Sequence, residues 1–297
     1  MTVGAVDIGT NSARLLIADE SGRELARPMR ITRLGQGVDV TGRLAPEAMA
    51  RTVAVLAEYG AACRLHGVRR LRATATSAAR DAENAQAFFD EAEQALGVRP
   101  ELLSGEEEAR LSFLGATSGL PAEDAPFLVV DIGGGSTELV LGSTQPEELV
   151  SLQLGCRRMT ERHLRSDPPS AAELEACQKD VAEALAGADR LDVSRARRVV
   201  GLAGTVTALA GLQLGLRRYD ASQTHHTRLS LVQVEQSVHE LSRAPAVERR
   251  RLLAEPERAD VIVGGAIVLL EILRHFHLPE LLVSEHDILD GLVASLA

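Results

Sequence analysis

The sequence predicts an α/β protein built from two related domains, and three observations carry that prediction. One phrase is used twice: "AVDIGTNSARLLIA" at 5–18 and "VVDIGGGSTELVLG" at 129–142 share Asp, Ile, Gly, Ser and Leu at one constant offset of 124 residues. Short apolar runs interleave with longer stretches of helical spacing in both halves. The 297 residues, 45% of them hydrophobic, exceed most single domains and suffice for two cores.

Taken in order, Val3–Ile8, Arg14–Asp19 and Glu24–Leu34 read as an antiparallel meander separated by glycine-containing turns. A helix follows from Pro46, with proline in its first turn; "RRLRATAT" at 69–76 reads as a strand and Glu83–Leu96 as a second helix. The second half restarts with strands near Phe127–Asp131, Thr137–Gly142 and Glu148–Leu154, then a strand, Gly-Thr turn and helix in "RRVVGLAGTVTALAGL" at 197–212. "SGLPAEDAP" at 118–126, polar and proline-bearing, is the best interdomain linker. The longest apolar run, Val261–Leu273, is too short for a membrane span and contains Glu271, so it reads as a buried helix.

A formal charge of −10 argues against a general binder of duplex nucleic acid or anionic membrane. It leaves room for a small anion in a local pocket. Cys63, Cys156 and Cys177 are odd in number, far apart and without CxxC spacing, which suits reduced packing thiols in a cytoplasmic protein. No export signal is read at the N-terminus.

The repeated phrase places an aspartate and glycines between apolar runs, where strands disfavour both. Glycine lets backbone N–H groups approach an anion closely, so Asp7 and Asp131 would stand beside bound phosphate. Two carboxylates beside phosphate repel it unless a hard cation such as Mg²⁺ lies between them. Either turn alone is more simply an ordinary hairpin; the repetition reverses that and favours the Mg–phosphate site.

"GLAGTVTALAG" from Gly201 adds a glycine turn at a helix start, suited to an anion or simply to close helix–strand packing. In "LLSGEEEARLSFLGA", Ser104 and Glu107 form a capping box and Glu106 suits the helix dipole, which leaves Glu108 unexplained. Arg80, after the 69–76 strand, offers a fork of donors to phosphate or to solvent. His225/His226 and His275/His277 lack the i, i+4 spacing of a metal pair and read as surface or supporting residues; 249–260, balanced in charge, reads as a solvated loop and helix start.

Together these motifs, with "RATATSAARDAEN", "LGCRRM" and "ERADVIVGGAIVLLEIL", resemble the exopolyphosphatase/guanosine pentaphosphate phosphatase family of the actin-like ATPase superfamily over nearly the whole chain. The resemblance implies two actin-like (ribonuclease H-like) domains with mixed sheets flanked by helices and an active cleft between them. Domain I would cover 1–120 plus a returning helix at 285–297, and domain II 121–284. It implies Glu108 as the catalytic glutamate that positions or deprotonates water, and Asp7, Asp131 and Glu138 as the carboxylates for Mg²⁺, with Mn²⁺ as substitute. Gly133, Gly134, Gly135 and Ser136 would form the phosphate turn, with Asn11, Ser12, Arg80, Gly204 and Thr205 also on phosphate. Arg14 and Arg258 would be further substrate contacts.

The reaction implied is hydrolysis of terminal phosphate from polyphosphate, and also of pppGpp to ppGpp. A homodimer is the expected assembly. The family's frequent "LREGLL" reads "ILDGLV" here at 288–293, losing an arginine, and longer members carry a further helical domain; with a net charge of −10 and few basic groups near the proposed cleft (Arg14, Arg80, Arg157, Arg158 and Arg258), short chains and distributive cleavage are expected. Two alternatives share the phosphate turns: a non-catalytic (p)ppGpp or polyphosphate sensor, and an actin-fold small-molecule kinase. Glu108 and its helix favour the hydrolase.

Overall fold

The computed structural model describes residues 1–296 and divides into two compact units. The first comprises Met1–Gly115 and the segment from Ile288 onward; the second is Ala116–Asp287. The polar 118–126 stretch therefore lies inside the second unit, where Ala122–Asp124 forms a 3₁₀ turn.

In the first unit, β1 (Val3–Ile8) pairs antiparallel with β2 (Ser12–Ala18), and parallel with β5 (Arg70–Ala75), which pairs parallel with β6 (Glu101–Leu102). Where one strand was expected over Glu24–Leu34, the chain makes two, β3 (Glu24–Ala26) and β4 (Met29–Ile31), both on β2. Pro28 lies at the break; it has no N–H for a ladder, and its carbonyl instead accepts from Leu15. β1 is buried at every position, because both faces of the sheet are covered. Val6, Ile8, Leu15 and Ile17 pack with Leu56 and Tyr59 of helix Pro46–Leu65 and Phe88 and Phe89 of helix Ala85–Leu96. Ala5 and Leu16 instead pack with Leu103, Leu111, Ile288, Leu289 and Leu292, so the closing helix Ile288–Ala294 is part of this unit's core.

The second unit repeats the plan. Its strands are β7 (Phe127–Ile132), β8 (Thr137–Gly142), β9 (Pro146–Leu152), β10 (Arg198–Leu202), β11 (Arg228–Ser230) and β12 (Glu280–Val283). The sheet runs β11-β12-β10-β7-β8-β9, with β7, β10 and β12 parallel and the others antiparallel to their neighbours. Helix Ile262–His275 is apolar around most of its circumference and runs through the core against Leu128, Val130 and Ile132. Both units are thus actin-like: a three-strand meander extended by parallel strands and flanked by helices. Among the described residues, no helix is long and apolar enough to cross a membrane.

This topology decides where chemistry can sit. Parallel strands all release the chain at one edge of the sheet, the edge where open α/β sheets bind ligands. In the first unit that edge carries 9–11, 76–80 and 103–108; in the second it carries 133–136, 203–205 and 284–287.

Candidate active site

In the first unit, the turn between β1 and β2 is closed by Gly9 N–H donating to the Ser12 carbonyl at 2.9 Å. A Cβ on Gly9 would stand 3.1 Å from that same oxygen, a tight approach that favours glycine. Asp7 and Arg14 are register partners across β1 and β2, and Arg14 Nη2 donates to Asp7 Oδ2 at 2.6 Å. Arg14 is thereby held on a carboxylate rather than directed only at substrate. Asn11 is buried, and Thr10 Oγ1 accepts from Ala78 N–H, tying this turn to the segment that carries Arg80.

Arg80 Nη1 donates to the Leu103 carbonyl at 2.9 Å and to Glu108 Oε2 at 2.7 Å. Its Nη2 is buried and has no hydrogen-bond partner among the described residues. An unsatisfied guanidinium nitrogen is costly to bury, and a phosphate oxygen would satisfy it. Helix Gly105–Thr117 starts at a reciprocal capping box: Ser104 Oγ accepts from Glu107 N–H, and Glu107 Oε2 accepts from Ser104 N–H. That bond holds the Glu107 carboxyl below the ordinary glutamate range. Glu106 and Glu107 are exposed, whereas Glu108 is turned inward at 9% exposure. Capping explains the two outer glutamates and leaves the buried one for other work.

In the second unit, Gly133 N–H donates to the Ser136 carbonyl at 3.0 Å, and its added Cβ would meet that oxygen at 3.1 Å, the Gly9 geometry repeated. The next three N–H groups, of Gly134, Gly135 and Ser136, donate to no acceptor among the described residues. Gly135 and Ser136 are buried, so these are donors held ready for an anion.

Asp131 on β7 and Glu138 on β8 are register partners at 7% and 1% exposure. Ser151 Oγ donates to Glu138 Oε1 at 2.7 Å. Directly opposed carboxylates repel, and burial strengthens the repulsion. A hard cation relieves it, and two carboxylate oxygens completed by phosphate and water match what Mg²⁺ prefers. The residues present therefore fit Mg²⁺. The duplicated position holds Arg14 opposite Asp7 in the first unit and Glu138 opposite Asp131 in the second, so only the second pair is a two-carboxylate set.

β10 lies parallel beside β7, with Leu202 level with Asp131, and leads into helix Ala203–Gln213. The helix has no side-chain cap at Leu202, and Ala203 takes φ 68°, so its first N–H groups are left for another acceptor. The Arg258 guanidinium lies directly on the Gly204 backbone, inside the volume any Cβ there would occupy, and Arg258 Nε donates to Glu255 Oε2 at 2.9 Å. A cation at a helix N-terminus opposes the dipole; an anion bound there satisfies both. Thr205 is buried beside Gly265.

Other residues fall differently from their sequence patterns. Arg157 is buried on Glu161 and Asp260, and Arg158 Nε donates to the Gly135 carbonyl, so neither is a loose basic group. Arg249, within the stretch expected to be solvated, is buried and donates to the Ala244 and Ala259 carbonyls and to Asp167. His225 and His226 stack at 3.7 Å with His286 nearby, and His275 Nε2 lies 2.6 Å from Asp189 Oδ1. Burial depresses the His226 pKa, with His286 adding to it. All three cysteines are buried; desolvation pushes Cys63 up to about 11 and Cys177 to about 12, which keeps them as inert thiols.

A second duplication is hidden in the sequence. Leu34–Gly35 follows β4 and Leu154–Gly155 follows β9, and each glycine packs against its own unit's turn: Gly35 on Thr10, Gly155 on the Gly134–Gly135 peptide. Their spacing is 120 residues rather than 124, so a constant-offset comparison passes over them.

The Ppx/GppA phosphatase family profile matches residues 16–297. The chain is 45% identical over 317 aligned residues to exopolyphosphatase 2 of Mycobacterium tuberculosis, covering 99% of this chain and 98% of that protein. It superposes on the crystal structure of the Aquifex aeolicus family member with TM-score 0.82 and 32% identity, covering 100% and 97% of the two chains. For an exopolyphosphatase from Cytophaga hutchinsonii the values are 0.91 and 26%, with coverage of 100% and 97%. The chain belongs to the Ppx/GppA phosphatase family.

Proposed function

We propose that this protein is a Mg²⁺-dependent exopolyphosphatase that releases terminal phosphate from polyphosphate, and that pppGpp is a second substrate. The observation that carries the hydrolytic reading is Glu108, buried and held at 2.7 Å by Arg80, on a helix whose capping already has its own glutamate. The full-length likeness to an exopolyphosphatase supports the substrate class.

Bound on Asp131 and Glu138, Mg²⁺ would supply neutralisation of the phosphate charge, with Mn²⁺ as its substitute. The Gly134, Gly135 and Ser136 N–H groups take oxygens of the phosphoryl group, and the 203–205 helix start with Arg258 takes oxygens further along the polyanion. In the first unit, Arg80 Nη2 is the donor left for a phosphate oxygen while Nη1 fixes Glu108. Glu108 accepts a hydrogen bond from water and orients it for attack on phosphorus; the O–P bond to the chain breaks and inorganic phosphate leaves. Asp7 orients Arg14 at the first turn.

Phosphate release from short polyphosphate, long polyphosphate and pppGpp, each with Mg²⁺ or Mn²⁺, tests this. Release from polyphosphate is expected. Binding without release from any of the three would replace the hydrolase with a sensor.

A further inference from the structure

The phosphate turn of the second unit exposes three N–H groups only because its carbonyls are held elsewhere. Each carbonyl has a specific holder. Gly133 O accepts from Cys156 N–H at 3.0 Å; Gly134 O accepts from Arg157 N–H at 2.9 Å and Arg158 N–H at 3.1 Å. Gly135 O accepts from the side chain, Arg158 Nε, at 2.7 Å. These donors lie on the first turn of helix Cys156–His163, whose cap residue Gly155 has no side-chain cap bond. Peptide planes are rigid, so fixing a carbonyl fixes the direction of the next residue's N–H.

We propose that Arg158 is a positioning residue for hydrolysis: by holding the Gly135 carbonyl, it keeps the Gly135–Ser136 peptide turned so that the Ser136 N–H meets phosphate beside those of Gly134 and Gly135. The inference rests on reading this turn as the phosphate site. Helix N–H groups hold the first two carbonyls through backbone alone, so the third is the one that depends on a side chain. Gly155 supports the same geometry. Its φ of −157° is open to any residue, so its requirement is steric: a Cβ would run into the Gly134 carbonyl and the Gly135 nitrogen.

The first unit reaches the same end differently. There Thr10 O accepts from Gly35 N–H at 2.8 Å, and Asn11 O accepts from Thr32 and Arg33 N–H. Backbone N–H groups hold the Thr10 and Asn11 carbonyls there, whereas the Gly135 carbonyl is held by the Arg158 side chain. The two turns therefore differ in how they can be perturbed.

Arg158 carries a charge, so contact with substrate is the rival explanation, and the substitutions separate them. Arg158→Met keeps the stem without a donor, Arg158→Gln keeps an uncharged N–H donor, and Arg158→Lys keeps the charge. Positioning predicts that Met lowers kcat/KM by roughly 10-fold to 100-fold, as expected for loss of a charge-assisted hydrogen bond, and that Gln recovers most of it. The salt dependence of kcat/KM on polyphosphate stays as in wild type. Recovery by Lys and not Gln, with a weaker salt dependence in the Met variant, would overturn the proposal in favour of direct contact.

Calorimetric binding of tripolyphosphate gives a readout independent of turnover. Wild type and Gln should bind alike and Met more weakly, with Gly155→Ala weakened as Met is. Binding that follows this order without any hydrolysis would sustain the positioning role and refute the hydrolase reading. Equal binding by wild type and the Met variant, or none by wild type, would refute the positioning role.

Discussion

Arg80 Nη1 lies 2.7 Å from Glu108 Oε2 and 2.9 Å from the Leu103 carbonyl, so one guanidinium nitrogen ties the inward glutamate to the strand end before its helix. Both side chains are largely buried, at 17% and 12% exposure, which strengthens the bond over a surface ion pair. The glutamate cannot swing without breaking it, and the arginine keeps Nη2 for another oxygen.

Glu108→Gln is expected to lower kcat by about 10² or more with the fold retained, the range for losing a positioned acid/base group. Glu106→Gln and Glu107→Gln should leave kcat near wild type, Glu107→Gln weakening only its cap. Arg80→Lys loses the fork and should lower kcat together with substrate affinity. Steady-state kinetics with thermal melts on the four variants checks all of this; loss of turnover in Glu107→Gln would assign the base to the wrong glutamate.

Asp131 and Glu138 face each other across β7 and β8 while buried, so removing one charge should relieve repulsion. Glu138→Gln is expected to melt at or above wild type in a chelator, to gain less from added Mg²⁺, and to need more Mg²⁺ for half-maximal activity. A chelator alone should stop phosphate release by wild type. Melting of Glu138→Gln well below wild type in chelator would show the carboxylate serving structure instead.

What the sequence made legible was whatever local chemistry dictates. Asp7 and Asp131 stand out because aspartate beside glycine makes no sense in a strand unless a turn needs both. Pro46 marked a helix start because proline suits the first turn and little else. Partnership was not legible. Arg249 sits among three consecutive arginines, and nothing in their order tells which one turns inward onto the Ala244 and Ala259 carbonyls. Arg157 and Arg158 read as basic groups near phosphate, yet their donors serve Glu161, Asp260 and a glycine carbonyl. Leu34–Gly35 and Leu154–Gly155 are weak words in themselves and acquire meaning only through what each glycine touches.

Those committed arginines sharpen an expectation about chain length. A processive enzyme holds a long polyanion on an extended cationic track, and the net charge here is −10. Arg14, Arg80, Arg157, Arg158 and Arg258 all spend donors on protein acceptors, but Arg80 keeps Nη2 without one and the Arg258 guanidinium lies on the Gly204 backbone, so these two are the main cations at the proposed phosphate positions. Short polyphosphates should be preferred and long ones cut distributively. A gel of a long-chain digest should show intermediates of every length; complete conversion of long chains without them would require a track elsewhere.

Gly291→Ala is expected to loosen the closing helix Ile288–Ala294, because a Cβ there would run into the Leu111 carbonyl of helix Gly105–Thr117. Overpacking against backbone costs about 1–3 kcal/mol, which in a protein of this size lowers Tm by several degrees. Differential scanning calorimetry checks it, and an unchanged Tm would mean that the two helices separate at no cost. Glu108 sits on the opposed helix, so activity should fall with stability.

That closing helix also sets an order of events during synthesis. The Ala5, Leu16, Leu103 and Leu111 surface waits for Ile288, Leu289 and Leu292, which leave the ribosome only after the whole second unit. At roughly 5–20 residues per second, the wait lasts on the order of ten to thirty seconds. For that interval the nascent chain presents a greasy face carrying the Glu108 helix, a natural landing place for a chaperone. The protein is thus unable to assemble Glu108's full support until Ile288–Leu292 has been synthesised, so products truncated before that helix would be inactive and prone to stick.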